Sequence, residues 1–140
     1  TQGVSSAASD VYKRQRMWGP MGGEYNRYND ALVNAEQLRG TALYFSSATG
    51  LAGRSDQVSY LVGQGLPEAL APIGAAQLQV EGGIIEAAIN QCNHDMRAKL
   101  DSLGIPAHYE FRNAGTHSWP YWLEDMERSW YTTIGPAFGL

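Results

Sequence analysis

Apolar residues recur at two different spacings along the chain, and the changes of spacing mark its elements. Ile85, Ile89, Cys92, Met96, Leu100 and Leu103 return every three or four positions, the repeat of a helix with one apolar face. Gly104 and Pro106 follow and stop it, and its apolar face is expected to pack on a sheet. Ala31, Leu32, Ala35 and Leu38 carry the same spacing through residues 30–39, with Asn29 placed to cap the start and Gly40 the end. A last helix is expected from about Tyr121, with Pro120 in its first turn, Ser118 positioned to cap, and Trp122, Met126 and Trp130 on one face. The strands are short. Thr41 to Phe45 is an apolar, aromatic run bounded by Gly40 and by the Ser-rich segment 46–50, which predicts a buried strand. His108-Tyr109-Glu110-Phe111 alternates polar and apolar as a half-buried strand does. Residues 46 to about 74 read as loop with a turn or two of helix within 56–62, and the Gly-, Tyr- and Asn-rich residues 16–29 read as loop as well. Roughly 60 residues, including the long helix, separate the two strands, which suits a parallel crossover, so the predicted class is α/β.

Composition narrows what the chain can do. At 140 residues with 44% hydrophobic content, it can bury one ordinary core. No apolar run reaches the roughly 18–20 residues of a transmembrane helix, and no basic-then-apolar leader opens the chain. A formal charge of −4 with scattered acids provides no basic stripe to neutralise phosphates, so no nucleic-acid partner is expected. Cys92 is the single cysteine, which rules out an internal disulfide or a multi-thiolate metal site. His94 with Asp95, and His108, are expected at the surface without metal-ligand spacing, and Gly63-Gln64-Gly65 is too short for a phosphate cradle. No cofactor and no metal are expected.

The run from Ser5 to Gln15 shows neither helical nor strand periodicity and resembles the in-frame translation of a sequencing adapter. Residues 1–15 are therefore set aside as a non-native tail. Residues 16–140 are then expected to be the C-terminal part of a longer domain, its upstream portion cut away before Arg16.

Chemistry concentrates in Gly115-Thr116-His117-Ser118-Trp119-Pro120-Tyr121-Trp122. His117 sits on a loop just past a strand and just before a helix, where the acyl-transfer histidine of an α/β-hydrolase reaches a serine at the carboxyl edge of a parallel sheet. A histidine so placed can equally cap or pack a helix. The block resembles the C-terminal motif of the antigen 85-type mycolyltransferases. Met17-Trp18-Gly19-Pro20 followed by Asn29-Asp30, and the stretch from Glu86 to Asn93, resemble two further segments of that family. The resemblance implies the C-terminal part of an α/β-hydrolase, a parallel sheet flanked by helices. It makes His117 the triad base and Glu86 the triad acid. The implied reaction moves a long-chain acyl group from an acylated sugar donor to a sugar acceptor such as trehalose or arabinogalactan, in a secreted or cell-envelope setting.

Glu86 also suits the acid's role physically, because a carboxylate there can accept from imidazole Nδ1–H, fix the tautomer and stabilise the imidazolium. Glu81, five residues earlier in the sequence, is the alternative, and either acid also suits the first turn of a helix. Trp119 either stacks on a sugar ring, as the resemblance implies, or packs in the core. The nucleophile is not legible: Ser46, Ser47, Ser55, Ser59, Ser102, Ser118 and Ser129 all lack a Gly-x-Ser-x-Gly elbow. In this fold the serine precedes the acid in sequence, so it is expected upstream of this chain, which alone is expected to be inactive. The alternatives are a carboxylesterase of the same superfamily and a non-catalytic envelope or adhesion protein of the same fold.

Overall fold

The computed structural model describes residues 16–140, and the proposed foreign tail lies outside them. The chain divides after Arg39 into two units.

In the first unit, helix α1 spans Glu24–Asn29 and a single 3-10 turn spans Ala35–Leu38. This reverses the expectation of a loop followed by a helix over 30–39, and two polar side chains explain why. Asp30 Oδ1 accepts from the amides of Leu32 and Val33 at 2.9 and 3.2 Å. Asn34 Nδ2 donates to the carbonyls of Arg27, Tyr28 and Asp30 at 2.8, 3.0 and 2.8 Å. Side chains that bind nearby backbone groups offer the chain an alternative to a continuing helix, and here they end α1 and fold the following residues into turns.

The second unit is mixed α/β. Strand β1 (Tyr44–Ala48) and strand β2 (His108–Arg112) form a two-stranded parallel sheet in which Tyr44 pairs with His108 and Ala48 with Arg112. Between them lie a 3-10 turn at Arg54–Asp56, helix α2 (Val58–Gly63), helix α3 (Ala71–Gln77), a π turn at Leu78–Gly82 and helix α4 (Gly83–Leu103). Helix α5 (Trp119–Ser129) follows β2, and a π turn at Trp130–Ile134 leads to the short α6 (Gly135–Ala137). Among the described residues no helix is long and apolar enough to cross a membrane.

Helix α4 stops where Gly104 and Pro106 predict. Gly104 adopts φ +64°, and the Ile105 amide turns back to the Leu100 carbonyl at 3.0 Å, the left-handed closure for which glycine is suited. Its buried face departs from the predicted apolar stripe. Met96 and Leu100 are buried, whereas Ile84, Ile85 and Cys92 are exposed, and Glu86, Asn90 and Asn93 take the place next to β1. Asn93 Nδ2 donates to the Ser46 carbonyl at 3.1 Å, Ser47 Oγ donates to Asn90 Oδ1 at 2.9 Å, and the Ala48 amide donates to Glu86 Oε1 at 2.8 Å. This polar row also accounts for the position of β1, which begins three residues later than Thr41 and runs through Ser46 and Ser47: partners on α4 satisfy groups that an apolar face would leave unpaired.

Helix α5 differs from expectation in a similar way. Ser118 occupies the N-cap position, but its Oγ is buried without a hydrogen-bond partner. The buried face is Tyr121, Asp125 and Ser129, while Met126 and Trp130 are exposed. Asp125 forms an ion pair with Arg112 of β2, and both side chains are largely buried. A charged pair held between helix and sheet fixes the rotation of α5 and turns Met126 and Trp130 outward, leaving Trp122 half-buried. His94 is exposed with its ring 4.2 Å from that of Phe111, and His108 stacks on Tyr44 at 5.5 Å.

Candidate functional site

The loops that leave the carboxyl ends of the two strands are bonded together. The Thr49 amide donates to the Arg112 carbonyl at 3.2 Å, the Gly50 amide to the Gly115 carbonyl at 3.1 Å, and the Gly115 amide to the Leu51 carbonyl at 2.7 Å. Thr49 Oγ1 adds a bond to the Asn113 carbonyl at 2.7 Å. The His117 amide then donates to the Gly82 carbonyl at 3.1 Å, which ties the histidine loop to the start of α4.

Glycine is required where α4 meets the loop after β1. Gly50 adopts φ +83°, and a Cβ on it would overlap the Gly83 carbonyl oxygen; a Cβ on Gly83 would stand 2.6 Å from the Gly50 oxygen. This close approach puts Glu86, at the first turn of α4, beside the end of β1. Glu86 is 2% exposed. Its Oε1 accepts from the Ala48 amide, and its Oε2 lies 3.0 Å from His117 Nδ1. An ionised carboxylate only accepts hydrogen bonds, so Nδ1 carries the proton and Nε2 is left as the basic nitrogen. Among the described residues the ring hydrogen-bonds to Glu86 alone. Glu81 is exposed and makes no hydrogen bond to the histidine, so the structure brings Glu86 and not Glu81 to His117.

The rings of Trp122 and His117 meet in a T-shaped arrangement with centroids 4.6 Å apart, and those of Trp119 and Trp122 do so at 5.1 Å. Trp119 is 70% exposed, which places it on the surface beside the histidine and not in the core. His117 also borders a cleft of about 430 Å³, lined by Leu61, Leu66, Leu78 and Ile85, with the polar Gln77 and Glu81. Among the described residues no cluster of His, Cys, Asp and Glu could hold a metal ion.

A further group near the histidine is not anticipated by the sequence. Asp56 is completely buried; its Oδ1 accepts from Thr116 Oγ1 at 2.6 Å, and its Oδ2 accepts from Tyr121 Oη and the Gly53 amide, both at 2.8 Å. The only local signal is that an acid three residues after Gly53 can close back on its amide, as at a helix start. Burial, and then the bond to the Asp56 carboxylate, push the Tyr121 hydroxyl from 10.0 up to about 12. Because the folded value lies above the unfolded one, the neutral phenol stabilises the fold below the unfolded value, and the contribution disappears as pH rises through the folded one. Denaturant unfolding should therefore show stability falling between 10.0 and about 12, with Tyr121→Phe falling less steeply over that window. An unchanged slope in the variant would contradict the assignment.

Neither a protein-family model nor a curated protein matches the chain.

Proposed function

We propose that the chain is the acid–base part of a serine-dependent acyltransferase with an α/β-hydrolase fold, similar to the antigen 85-type mycolyltransferases. The observation that carries the proposal is the Glu86–His117 hydrogen bond at the carboxyl ends of two parallel strands, with an apolar cleft beside the imidazole. In this mechanism a serine that the described residues do not bring to the ring gives its proton to His117 Nε2 as its oxygen attacks an ester carbonyl. The leaving sugar takes that proton back, and the acyl group remains on the serine. A second sugar hydroxyl then repeats the exchange in reverse: His117 removes its proton, the new ester forms and the serine is released. Glu86 keeps its charge throughout and stabilises the imidazolium. The Leu61, Leu66, Leu78 and Ile85 wall suits a long acyl chain, which gains from each methylene taken out of water. Exposed Trp119 offers a face for the acceptor sugar. The resemblance implies an acylated sugar donor, trehalose or arabinogalactan as acceptor, and action in the cell envelope.

The test uses the protein together with its serine-bearing part, a long-chain nitrophenyl ester as donor and trehalose as acceptor. Acyl-trehalose is expected as the main product, and Trp119→Ala should lower transfer by about tenfold while leaving hydrolysis within about twofold, the scale of one aromatic stacking contact. Fatty acid as the sole product would make the protein an esterase, and absence of turnover would favour a binding protein.

A further inference from the structure

Asp56 stands apart from the triad, yet its bonds converge on the segment that carries the triad histidine. The backbone bonds between the two loops reach Gly115 and go no further along that strand of contacts. Beyond it, the loop after β1 holds the histidine segment through Asp56, which grips Thr116 immediately before His117 and Tyr121 at the start of α5. Tyr121 Oη is fixed from a second side, accepting from the Ser55 amide at 3.2 Å. Gly53 is packed so closely on this hydroxyl that a Cβ would overlap it. The Asp56 carbonyl is itself anchored, accepting from Gln79 Nε2 at 2.9 Å.

Every partner of the Asp56 side chain is a neutral donor: two hydroxyls and an amide. A completely buried carboxylate without a cation among these partners is costly to keep. Packing alone does not call for one. A carboxylate does, however, supply acceptor positions on both oxygens, whereas the carboxamide of Asn has one oxygen and turns a donor toward whatever lies at its nitrogen. Three donors converge on the two oxygens of Asp56; Asn could keep the contacts only if the Thr116 hydroxyl turned to accept from its nitrogen, so the variant that removes the clamp is Asp56→Ala. We infer that Asp56 is a positioning residue for His117, clamping the chain on both sides of it so that Nδ1 stays aimed at Glu86. The inference rests on the acyl-transfer role proposed above for the Glu86–His117 pair.

The 140-residue chain itself permits the test, because the readout is the Nδ1–H proton and not turnover. Proton and nitrogen NMR of the imidazoles should show one far-downfield Nδ1–H, lost in His117→Ala and in Glu86→Gln. In Asp56→Ala, which leaves neither arm a partner, its exchange with solvent should accelerate by about tenfold or more as the loop opens locally. Thr116→Val removes a single arm of the clamp and should act in the same direction; it decides the matter if Asp56→Ala does not fold. Leu100→Ala is the control for lost stability alone and should leave the rate within about twofold. An unchanged rate in a folded Asp56→Ala, or in Thr116→Val when Asp56→Ala is unfolded, overturns the positioning role. So does an equal acceleration in Leu100→Ala. Absence of the downfield proton from the unsubstituted chain would instead remove the Glu86–His117 pair, and with it the acyl-transfer assignment.

Discussion

Replacing His117 with Ala should lower turnover in the proposed serine-dependent acyl transfer by about three to six orders of magnitude, because in that reaction the imidazole acts first as base and then as acid in each half of the exchange. Glu86→Gln should be roughly a hundredfold less damaging, since in the proposed role the acid orients the ring and stabilises its charge without exchanging a proton with substrate. The double variant should fall within about threefold of His117→Ala, as expected for groups that work as one unit. Glu81→Gln supplies the internal control: it lies on the same cleft but makes no bond to the ring, and should leave turnover within about threefold. Steady-state and burst kinetics with a nitrophenyl ester measure all four. A damaging Glu81→Gln beside a silent Glu86→Gln would reassign the acid, and a silent His117→Ala would end the hydrolase assignment.

Gly50→Ala should be among the most destabilising single substitutions in the chain. Its backbone lies at φ +83°, where a Cβ costs roughly 1–2 kcal/mol, and the added methyl meets the Gly83 carbonyl oxygen and the Ala87 side chain, an overpacking worth about 1–3 kcal/mol more. A loss of about 2–5 kcal/mol is a large part of a domain's usual margin of about 5–15 kcal/mol. Relief can come only from moving the start of α4 away from β1, so the Glu86 bond to the Ala48 amide should weaken together with global stability. Urea unfolding measures the first effect and exchange of the Ala48 amide the second. Wild-type values for both would show that the close approach of Gly50 and Gly83 is not required.

Much of the architecture is legible in the residue pattern, and the departures share a cause. The body and stop of α4 follow from Met96, Leu100 and Gly104, and the parallel relation of the strands from the long helical connection between them. What the pattern misplaces is where polar side chains do the work of burial. Ser46 and Ser47 look like the end of a strand until Asn90 and Asn93 are known to face them. Ile85 looks inward until Glu86 is seen to hold the Ala48 amide. Trp122, Met126 and Trp130 form an apparent core face, but Arg112 pairs with Asp125, and Met126 and Trp130 are turned out while Trp122 stays half-buried. At the candidate site, His117 and Trp119 stand out by their place in a distinctive block, and Glu86 by its place at a helix start. Asp56 gives no comparable sign, because its partners Thr116 and Tyr121 lie 60 and 65 residues away and no local spacing records them.

The π turn at Leu78–Gly82 has a consequence for chain length. A π turn is a helix carrying one residue beyond the α repeat, and each residue rotates a helix by about 100°. Upstream of it Ala71 and Ala75 are buried in α3; downstream Glu86 is buried beside β1. The extra residue sets the angular phase between these two faces. One residue more or fewer between Ala75 and Glu86 would swing one face out of contact by about 100°, so this stretch is governed by its residue count as well as by its chemistry. A single-codon insertion or deletion there would turn Gly74 and Gln77 of the cleft wall out of phase with Glu86.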